Sequence, residues 1–589
     1  MNLFEKHRPT FERAQLACRE RYCWSPFPDL PAKYPNAAEA QAAGLKAYQA
    51  HLGSRFDLKQ PGQVVAEVGE EVSPYTQQAL GIRYPQAEVD PLFDAAELAM
   101  VSWAGASIDT RIGVLMEVID VIYREHLFEI AQSVMHTAGQ SYNMAYAGSG
   151  VNALDRGIEA LVYAHQAMSA VAPSARWERQ FGPSKIVLDK TYRLIPRGVA
   201  VCFSCASFPT WNAWPSMMAS LATGNAVIVK PHPATVLPMA ISVRVFRQVL
   251  AASGFDANLV TLALDTTAEP IGKLLVKHPK TAIVDFTGSV RFGQWVEQNA
   301  YPALCFTETA GCNTVVLESA DDLDAALRSL ATTLCMFSAQ MCTSPQNIYV
   351  PSGGVKTPQG TVPLNEVARR LAEAVAALTA DPKKAAMILA TIQSQHTLDL
   401  LSNMELIKQS GQGLEASTRG FAKILLKPGP YAHPEFPEAR TSTPLMLQVD
   451  KTHRDLYGEE RFGPISFVIA CDDAADALHQ ATTDVKEFGG LTAFLYSTDD
   501  AYIAKAEAAY ARAGAQLTIN LTGAMPLNFA AAYSDYHVTG LNPAGNAALT
   551  SLAFVASRFC ITQSRRPAPA AVASNVTSAT QSSTASSAT

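Results

Sequence analysis

Two hydrophobic periods alternate in the middle of the chain, and this alternation leaves few folds open to it. Short runs rich in Val, Ile and Leu ("GVAVCFSCA", "NAVIVKP", "NLVTLAL", "TAIVDFTGS") are separated by stretches with helical spacing such as "MAISVRVFRQVLAASGF". Such runs predict strands buried on both faces, and helices between them predict parallel pairing. The pattern therefore predicts an α/β fold with a covered parallel sheet, whose strand ends and helix N-termini suit a nucleotide cofactor.

A second alternating stretch follows, with strand-like runs "NTVVLE", "QNIYVP" and "ISFVIA" between helical ones, and it predicts a second α/β domain. The length of 589 residues is enough for more than one domain. Ser, Thr and Ala dominate the C-terminal end, which predicts a disordered tail. The predicted segments are an N-terminal arm over 1–91, a helical layer and cofactor domain over 92–307, a catalytic domain over 308–514, a return segment over 515–565 and the tail over 566–589. Proline and aromatic clusters such as "CWSPFPDLPAKYP" predict that the arm is irregular with short helices.

Composition and charge exclude several classes of function. The formal net charge is −7 and 48% of the residues are hydrophobic, so the chain has no basic surface typical of nucleic-acid binding. No apolar run is long enough to cross a bilayer, and the N-terminus is too charged for a secretory signal. We therefore expect a cytoplasmic protein that acts on a small molecule, with no nucleic-acid or membrane partner.

The ten cysteines are irregularly spaced and predict reduced thiols rather than a disulfide framework. Cys202 and Cys205 form a C-x-x-C pair inside an apolar, strand-like run, which favours buried core thiols over a redox or metal site. The histidines do not occur at the spacing of zinc ligands. We therefore expect no metal.

Four motifs point to chemistry when they are read together. Gly288 and Gly293 in "DFTGSVRFG" follow a strand and open a helix, which by itself is as typical of an ordinary turn as of a cofactor contact. Glu308 lies in "FTETAGCN", Cys342 in "FSAQMCTSPQ" and Glu460 in "GEERFGPI". With the 34-residue gap between Glu308 and Cys342, these motifs resemble the aldehyde dehydrogenase superfamily over roughly residues 92–558.

The resemblance implies a fold and a reaction. The fold is a Rossmann-type cofactor domain with an α/β catalytic domain and a small oligomerisation hairpin near 175–194, in a homo-dimer or homo-tetramer. The thiol of Cys342 attacks an aldehyde or semialdehyde, hydride passes to a nicotinamide cofactor, and water activated by Glu308 hydrolyses the thioester to a carboxylic acid. A thiolate is the strongest nucleophile among side chains near neutral pH, and a carboxylate in an enclosed site suits general-base work.

The resemblance also implies a set of cofactor-binding residues. A lysine at a strand end contacts the adenine-side ribose, a glycine-flanked turn lies against the cofactor, and a glutamate and a phenylalanine hold the nicotinamide side. In this chain the matching residues are Lys230, Gly288, Ser289, Gly293, Glu460 and Phe462.

Two positions depart from the family pattern. Many members carry an oxyanion-stabilising asparagine before a Phe-Pro pair, where this chain has Ser207, so we expect Ser207 or the nearby Asn212 to complete the oxyanion hole. Three residues after Lys230, NAD-preferring members often carry a glutamate, where this chain has Pro233. Without a carboxylate to repel a 2′-phosphate, the sequence favours NADP over NAD.

Within the superfamily, the long N-terminal arm and the late segment "YSDYHVTGLNPAGNAAL" resemble the phenylacetic acid degradation aldehyde dehydrogenases of the PaaN type. That resemblance implies a semialdehyde formed after ring opening, including one carried as a CoA thioester. Two alternatives stay open: a CoA-acylating aldehyde dehydrogenase, which Glu308 argues against, and a catalytically weak relative that only binds the cofactor, which Ser207 suggests.

Overall fold

The computed structural model describes residues 2–406, 422–523 and 525–569, and the elements named below belong to this part of the chain. The α-helices are α1 Leu3–Glu20, α2 Ala37–His51, α3 Val89–Gly105, α4 Ile108–Val121, α5 Leu127–Ala138, α6 Tyr142–Tyr146, α7 Ala153–Ser169, α8 Pro209–Ala222, α9 Leu237–Ala252, α10 Gly272–Lys277, α11 Val290–Asn299, α12 Leu323–Cys335, α13 Leu364–Thr379, α14 Pro382–Leu389, α15 Gln395–Leu406, α16 Arg454–Tyr457, α17 Ala474–Phe488, α18 Asp500–Ala513 and α19 Leu552–Ala556.

The strands alternate with these helices through most of the chain. They are β1 Val64–Val68, β2 Tyr84–Ala87, β3 Ser174–Phe181, β4 Ser184–Pro196, β5 Val199–Ser204, β6 Val227–Pro231, β7 Val260–Leu262, β8 Thr281–Thr287, β9 Leu304–Glu308, β10 Asn313–Leu317, β11 Pro345–Pro351, β12 Val355–Thr357, β13 Gly360–Val362, β14 Ala422–Leu426, β15 Leu445–Asp450, β16 Ile465–Cys471, β17 Thr492–Tyr496, β18 Gln516–Ile519 and β19 Phe559–Pro567.

The first large sheet has five strands in the order β7-β6-β5-β8-β9, and every pair in it is parallel. Every residue of β5, β6 and β7 is buried, as expected for strands covered on both faces. The helices α8 and α9 contact these strands and supply part of that cover. The parallel sheet predicted from the alternating periods is confirmed, and its carboxyl edge carries the ends of β5, β6, β8 and β9.

The second large sheet has seven strands in the order β14-β15-β16-β11-β10-β17-β18. All its pairs are parallel except that of β14, which joins β15 antiparallel at the edge. Its strands β10, β11 and β16 coincide with the runs predicted from the sequence; α12 and α13 lie between them along the chain, and α17 lies between β16 and β17. The α/β fold class is therefore confirmed for both halves.

The N-terminal region is more regular than the arm predicted from its proline and aromatic clusters. Helix α1 has 18 residues and α2 has 15, and both pack against the helical layer through α4, α5 and α7. The reason is visible in α1, where Phe4, Phe11, Ala14 and Cys18 recur at helical spacing and are all buried. The proline cluster occupies only the connection between the two helices.

Strands β3, β4 and β19 form a separate antiparallel sheet in the order β19-β4-β3, with β3 and β4 as a hairpin. Residues Arg566 and Pro567 belong to β19 and pair with Asp189 and Leu188. The first two residues of the tail predicted to start at 566 are therefore the last two residues of a strand. Backbone pairing explains this difference, because it does not require an apolar sequence. The rest of the predicted tail from 570 onward lies outside the described residues.

The same three-stranded sheet exposes several large apolar side chains, namely Phe181, Ile186, Ile195 and Ile561. Exposed apolar side chains grouped on one element are typical of contact surfaces. The homo-dimer or homo-tetramer predicted for this chain stays a prediction. None of the described helices has the length and apolar character needed to cross a membrane.

Candidate active site

The backbone that leads to Cys342 has an unusual conformation. After α12 ends at Cys335, the consecutive residues Phe337, Ser338 and Ala339 have φ values of 48°, 49° and 50°, in the left-handed region. Non-glycine residues there cost about 1–3 kcal/mol each, so the surrounding structure must hold them. All three are buried. The packed interior therefore maintains the sharp turn that delivers Cys342 to the start of β11.

Side-chain amides fix the backbone on both sides of the cysteine. The amide of Gln340 donates from Nε2 to the Thr391 carbonyl at 2.8 Å and accepts at Oε1 from the Gln393 backbone N–H at 2.9 Å. Nδ2 of Asn313 donates to the carbonyl of Cys342 itself at 2.8 Å. These buried hydrogen bonds to fixed backbone groups define where the thiol can lie.

Glu308 is the last residue of β9, at the carboxyl edge of the five-stranded sheet, and is buried. Its backbone is held by two turns, since its carbonyl accepts from Gly288 N–H at 3.1 Å and its strand forms a bridge to Gly545. Its carboxylate is held at both oxygens: Oε2 accepts from Asn212 Nδ2 at 3.0 Å, and Oε1 lies 2.8 Å from His537 Nε2. These two contacts fix the orientation of the carboxylate next to the loop that carries Cys342.

Cys342, Glu308 and His537 form a compact cluster. Sγ of Cys342 lies 3.7 Å from Nε2 of His537, and one ligand atom from each residue lies within 4.8 Å of the others. The 2.8 Å between Nε2 of His537 and Oε1 of Glu308 is the length of a hydrogen bond. Two ligand atoms around a tetrahedral zinc ion would be roughly 3.3 Å apart, so the cluster has the spacing of a hydrogen-bonded pair rather than of a zinc site. Burial, and then the negative charge of Glu308, raise the pKa of the Cys342 thiol well above its usual value.

His537 is a residue that the sequence motifs did not indicate. It lies 229 residues after Glu308, in the late segment that pointed only to a subfamily. The side chain is buried, and the ring of Trp211 packs edge-on against it with centroids 4.6 Å apart. The Leu549 N–H donates to the His537 carbonyl at 3.0 Å and fixes its backbone. No local spacing links this histidine to either partner, so only the fold brings them together.

The residues predicted for the oxyanion hole make other contacts. The hydroxyl of Ser207 lies 3.9 Å from Sγ of Cys205, and the Ser207 carbonyl accepts from Gln140 Nε2 at 2.7 Å. The amide of Asn212 donates to Glu308 and so is already engaged. An oxyanion role for Ser207 or Asn212 therefore stays a prediction. Cys202 is buried as predicted, whereas Cys205 is only half-buried and borders the site.

Lys230 and Asp265 form an ion pair beside the carboxyl edge of the five-stranded sheet. Lys230 is in β6 and buried, and its Nζ lies 2.6 Å from Oδ1 of Asp265. Burial lowers the pKa of Lys230, and the attraction of Asp265 opposes that change. The sequence motifs indicated Lys230 but not Asp265, which is separated from it by helix α9 and strand β7. The pair places one cation and one carboxylate at this edge of the sheet.

The turn between β8 and α11 carries the other predicted cofactor residues. Ser289 caps α11, where its hydroxyl accepts from the Phe292 N–H at 3.4 Å. A Cβ on Gly293 would lie 2.5 Å from Cγ2 of Thr309, the residue after Glu308. Gly293 therefore lets α11 approach the segment that carries the carboxylate. The turn joins the candidate cofactor side of the site to the candidate catalytic side.

Glu460 and Phe462 lie on the loop between α16 and β16. Burial raises the pKa of Glu460 to about 8, and no hydrogen bond or ion pair from the described residues compensates for that burial. The loop is fixed by Gln346, whose Oε1 accepts from the Arg461 N–H at 2.7 Å. A half-buried carboxyl without a partner has oxygens that can accept hydrogen bonds from the hydroxyl groups of a ribose. With a lysine, a helix N-terminus and this carboxyl, the site fits a dinucleotide.

Comparison with known proteins identifies the family. The sequence model of the aldehyde dehydrogenase family matches residues 64–529. The chain belongs to that family. It is therefore an NAD(P)-dependent aldehyde oxidoreductase with the aldehyde dehydrogenase fold, as the sequence predicted.

Individual aldehyde dehydrogenases agree with this assignment. A crystal structure of an NAD-dependent aldehyde dehydrogenase from Burkholderia multivorans is 42% identical, with a TM-score of 0.91, over 96% of this chain and 99% of that one. The 1-pyrroline-5-carboxylate dehydrogenase 2 of Bacillus subtilis is 25% identical over 83% of this chain and 90% of its own length. The vanillin dehydrogenase of Corynebacterium glutamicum is 24% identical over 70% and 78%.

Proposed function

We propose that the protein oxidises an aldehyde to the free carboxylic acid with Cys342 as the nucleophile and Glu308 as the base that activates water. The observation that carries this proposal is the position of the Glu308 carboxylate. It lies within 4.8 Å of the Cys342 sulfur and is oriented at both oxygens by Asn212 and His537. A thiol adds to an aldehyde carbonyl to give a thiohemiacetal, and the thiolate leaves readily from the resulting thioester.

Glu308 has a defined task in the second half of this reaction. A water between the carboxylate and the thioester carbonyl would lose its proton to Glu308 as its oxygen attacks, and the sulfur of Cys342 would leave. When bound, the nicotinamide cofactor supplies a hydride acceptor for the first half. Lys230, the Ser289 turn, Glu460 and Phe462 would hold that cofactor.

The competing proposal is a CoA-acylating enzyme, in which CoA rather than water releases the acyl group. We expect NADH to form at the same rate with and without CoA, because an oriented base is present to activate water. The measurement is initial-rate spectrophotometry with the product analysed by mass spectrometry in H₂¹⁸O. One labelled oxygen in the acid supports hydrolysis, whereas a rate that requires CoA and yields acyl-CoA would contradict it.

For the cofactor, we infer that NAD is used in preference to NADP. The sequence favours NADP because Pro233 removes a carboxylate, but the Asp265 carboxylate lies 2.6 Å from Lys230 Nζ and brings a negative charge beside that lysine. A 2′-phosphate beside the ribose would be repelled by Asp265, and Lys230 would already be paired. The relative from Burkholderia multivorans, described as NAD-dependent, agrees with this inference.

Replacing Asp265 with Asn should shift the preference towards NADP. The substitution removes the repelling charge and frees Lys230 for the phosphate, so we expect the NADP-to-NAD ratio of kcat/KM to rise by about tenfold or more, which is about 1.4 kcal/mol. The measurement is initial rates over a range of each cofactor. The matched control is Glu269→Gln, an exposed carboxylate four residues along the same loop. Unchanged NADP kinetics in Asp265→Asn would refute the inference.

For the substrate, we propose an aldehyde or semialdehyde on an apolar, aromatic-derived skeleton, in phenylacetate or related aromatic ring-cleavage catabolism. Two aromatic pairs support this: Trp211 packs on His537, and Phe208 meets Phe337 edge-on with centroids 5.7 Å apart. The first pair joins α8 to His537, and the second joins the residue before α8 to the turn that leads to Cys342. A vanillin dehydrogenase among the relatives acts on an aromatic aldehyde. Rates with a ring-cleavage semialdehyde, its CoA thioester and glutamate semialdehyde would rank the candidates, and a clear preference for glutamate semialdehyde would argue against aromatic catabolism.

A further inference from the structure

The connection between α1 and α2 lies against the late segment that carries His537. Its first residue, Arg21, donates from Nε and Nη2 to the Ser534 carbonyl at 3.0 and 2.7 Å. The same guanidinium lies over the ring of Tyr536, 4.0 Å from the centroid, and its Nη1 donates to the Tyr163 hydroxyl at 2.7 Å. One arginine of the N-terminal region therefore holds the chain three residues before His537.

Further contacts hold the neighbouring residues of the late segment. The ring of Trp24 packs against that of Tyr533, with centroids 5.4 Å apart. From the other side Arg156, a fully buried residue of α7, donates from Nη1 to the Asp535 carbonyl at 2.9 Å. The consecutive carbonyls of Ser534 and Asp535 are thus each bound by an arginine, and the two arginines come from different elements.

The backbone of the late segment needs such support. Tyr533 and Val538 have φ values of 65° and 63°, in the left-handed region that non-glycine residues and β-branched ones above all disfavour. His537 lies between these two positions. Residues in such conformations persist only where the surrounding structure holds them, and they gather at functional sites. Contacts from outside the segment therefore help to decide where the imidazole of His537 lies.

The position of His537 matters because of the proton on its ring. Nε2 of His537 lies 2.8 Å from Oε1 of Glu308. An ionised carboxylate only accepts hydrogen bonds, so the histidine carries the proton at Nε2 and donates it. This bond is one of the two that orient the carboxylate, and the other comes from Asn212. A displaced late segment would release one oxygen of the base.

We propose that Arg21 is a positioning residue for the hydrolytic half of the reaction: it holds the late segment so that His537 keeps the Glu308 carboxylate beside Cys342. This rests on the proposed function, because Arg21 acts through the base assigned there. The N-terminal region is then a support of the active site. Arg21 is also the arginine that can be replaced with least damage, because its side chain is 25% exposed whereas that of Arg156 is fully buried.

The test compares the two halves of the reaction in Arg21→Gln and in the natural protein. We expect kcat to fall about tenfold, as for the loss of a charge-assisted hydrogen bond, while the first turnover forms NADH at an unchanged rate. Intact-protein mass spectrometry in the steady state should find a larger fraction of the variant carrying an acyl group. A folded variant with unchanged kcat would overturn the proposal, and so would equal slowing of both halves, which indicates a general loss of structure.

Hydrogen exchange gives a second readout in the absence of substrate and cofactor. Peptides that cover the late segment should exchange about tenfold faster in Arg21→Gln, because the segment has lost one of its anchors. Peptides from the two large sheets should exchange as in the natural protein. Unchanged exchange in the late segment would overturn the proposal whatever the kinetics.

Matched variants control for the loss of an arginine and for a failure to fold. Arg19→Gln removes an exposed arginine of α1 that pairs with Glu20, and it should behave as the natural protein does. If Arg21→Gln does not fold, Tyr536→Ala takes its place, because it removes only an exposed ring under the guanidinium. It should lower kcat about two- to fivefold with the same split between the halves, whereas Tyr536→Phe keeps the ring and should not. Equal kcat in these two variants would overturn the proposal.

The outcome also separates this proposal from the proposed function. Glu308→Gln should accumulate the acyl group whatever holds His537. If Glu308→Gln accumulates it and Arg21→Gln does not, Arg21 has no positioning role and the assignment of the base stands. If neither variant accumulates it, the assignment of Glu308 as the base fails, and the role of Arg21 fails with it.

Discussion

Replacing Cys342 with Ala is expected to abolish aldehyde oxidation, with a loss of about 10⁴-fold or more in kcat. The turn at Phe337–Ala339 and the hydrogen bond from Asn313 place this sulfur beside the Glu308 carboxylate, whereas the thiol of Cys205 at the border of the site contacts Asn212 Oδ1 at 3.6 Å. Cofactor affinity should change little, since the residues proposed to hold the cofactor lie on other loops. The measurements are NADH formation and cofactor binding by calorimetry.

The matched control for that substitution is Cys560→Ala, which removes an exposed thiol on β19. It should retain full activity. Turnover by Cys342→Ala above about a tenth of the natural rate would show that this thiol is not the nucleophile, whereas loss of both turnover and cofactor binding would show that the substitution disturbed the fold instead.

Replacing Glu308 with Gln is expected to separate the two halves of the reaction. The amide keeps the shape of the side chain but cannot take a proton from water, so thioester hydrolysis should slow by about 10²- to 10⁴-fold. A burst of NADH equal to the enzyme concentration should remain, followed by almost no steady-state rate. Stopped-flow absorbance measures the burst, and intact-protein mass spectrometry detects the acyl group on Cys342.

A second variant sharpens the interpretation of that result. Glu308→Asp keeps a carboxylate on a shorter side chain and should recover part of the steady-state rate. Steady-state turnover by Glu308→Gln at the natural rate would exclude Glu308 as the base, and a missing burst would assign it to the first half of the reaction.

The sequence predicted the parallel sheet and the candidate nucleophile and base because both signals are local. The buried strands β5 to β8 are short apolar runs, and such runs between helical stretches have few alternatives to parallel pairing. Cys342 and Glu308 each lie in a compact motif with a fixed gap, so the resemblance to the family could propose their roles from the chain alone. The sequence predicted short N-terminal helices, and the observed ones are longer. The proline clusters in the connection drew attention away from the helical spacing of Phe4 and Phe11.

The partners that tune the site are not local. Asn212, His537 and Asp265 come from three distant segments, and each contacts a predicted residue: 96 residues separate Asn212 from Glu308, and 229 separate His537 from it. Pro233 does remove the carboxylate that NAD-preferring members often carry three residues after the lysine. Asp265 nevertheless brings a carboxylate to Lys230 from another strand end. A linear pattern records which residue types are present but not which distant side chains share a cavity.

The amino-acid sequence alone predicted the fold class from its periodicity and, through the resemblance of its motifs, the family and the candidate pair of Cys342 and Glu308, because these signals are carried by neighbouring residues. The partners of that pair and of Lys230 became visible in three dimensions. They depend on the convergence of strand ends at one edge of a parallel sheet and on a late segment that closes over it. Distance in space, rather than distance along the chain, sets the electrostatics of each group.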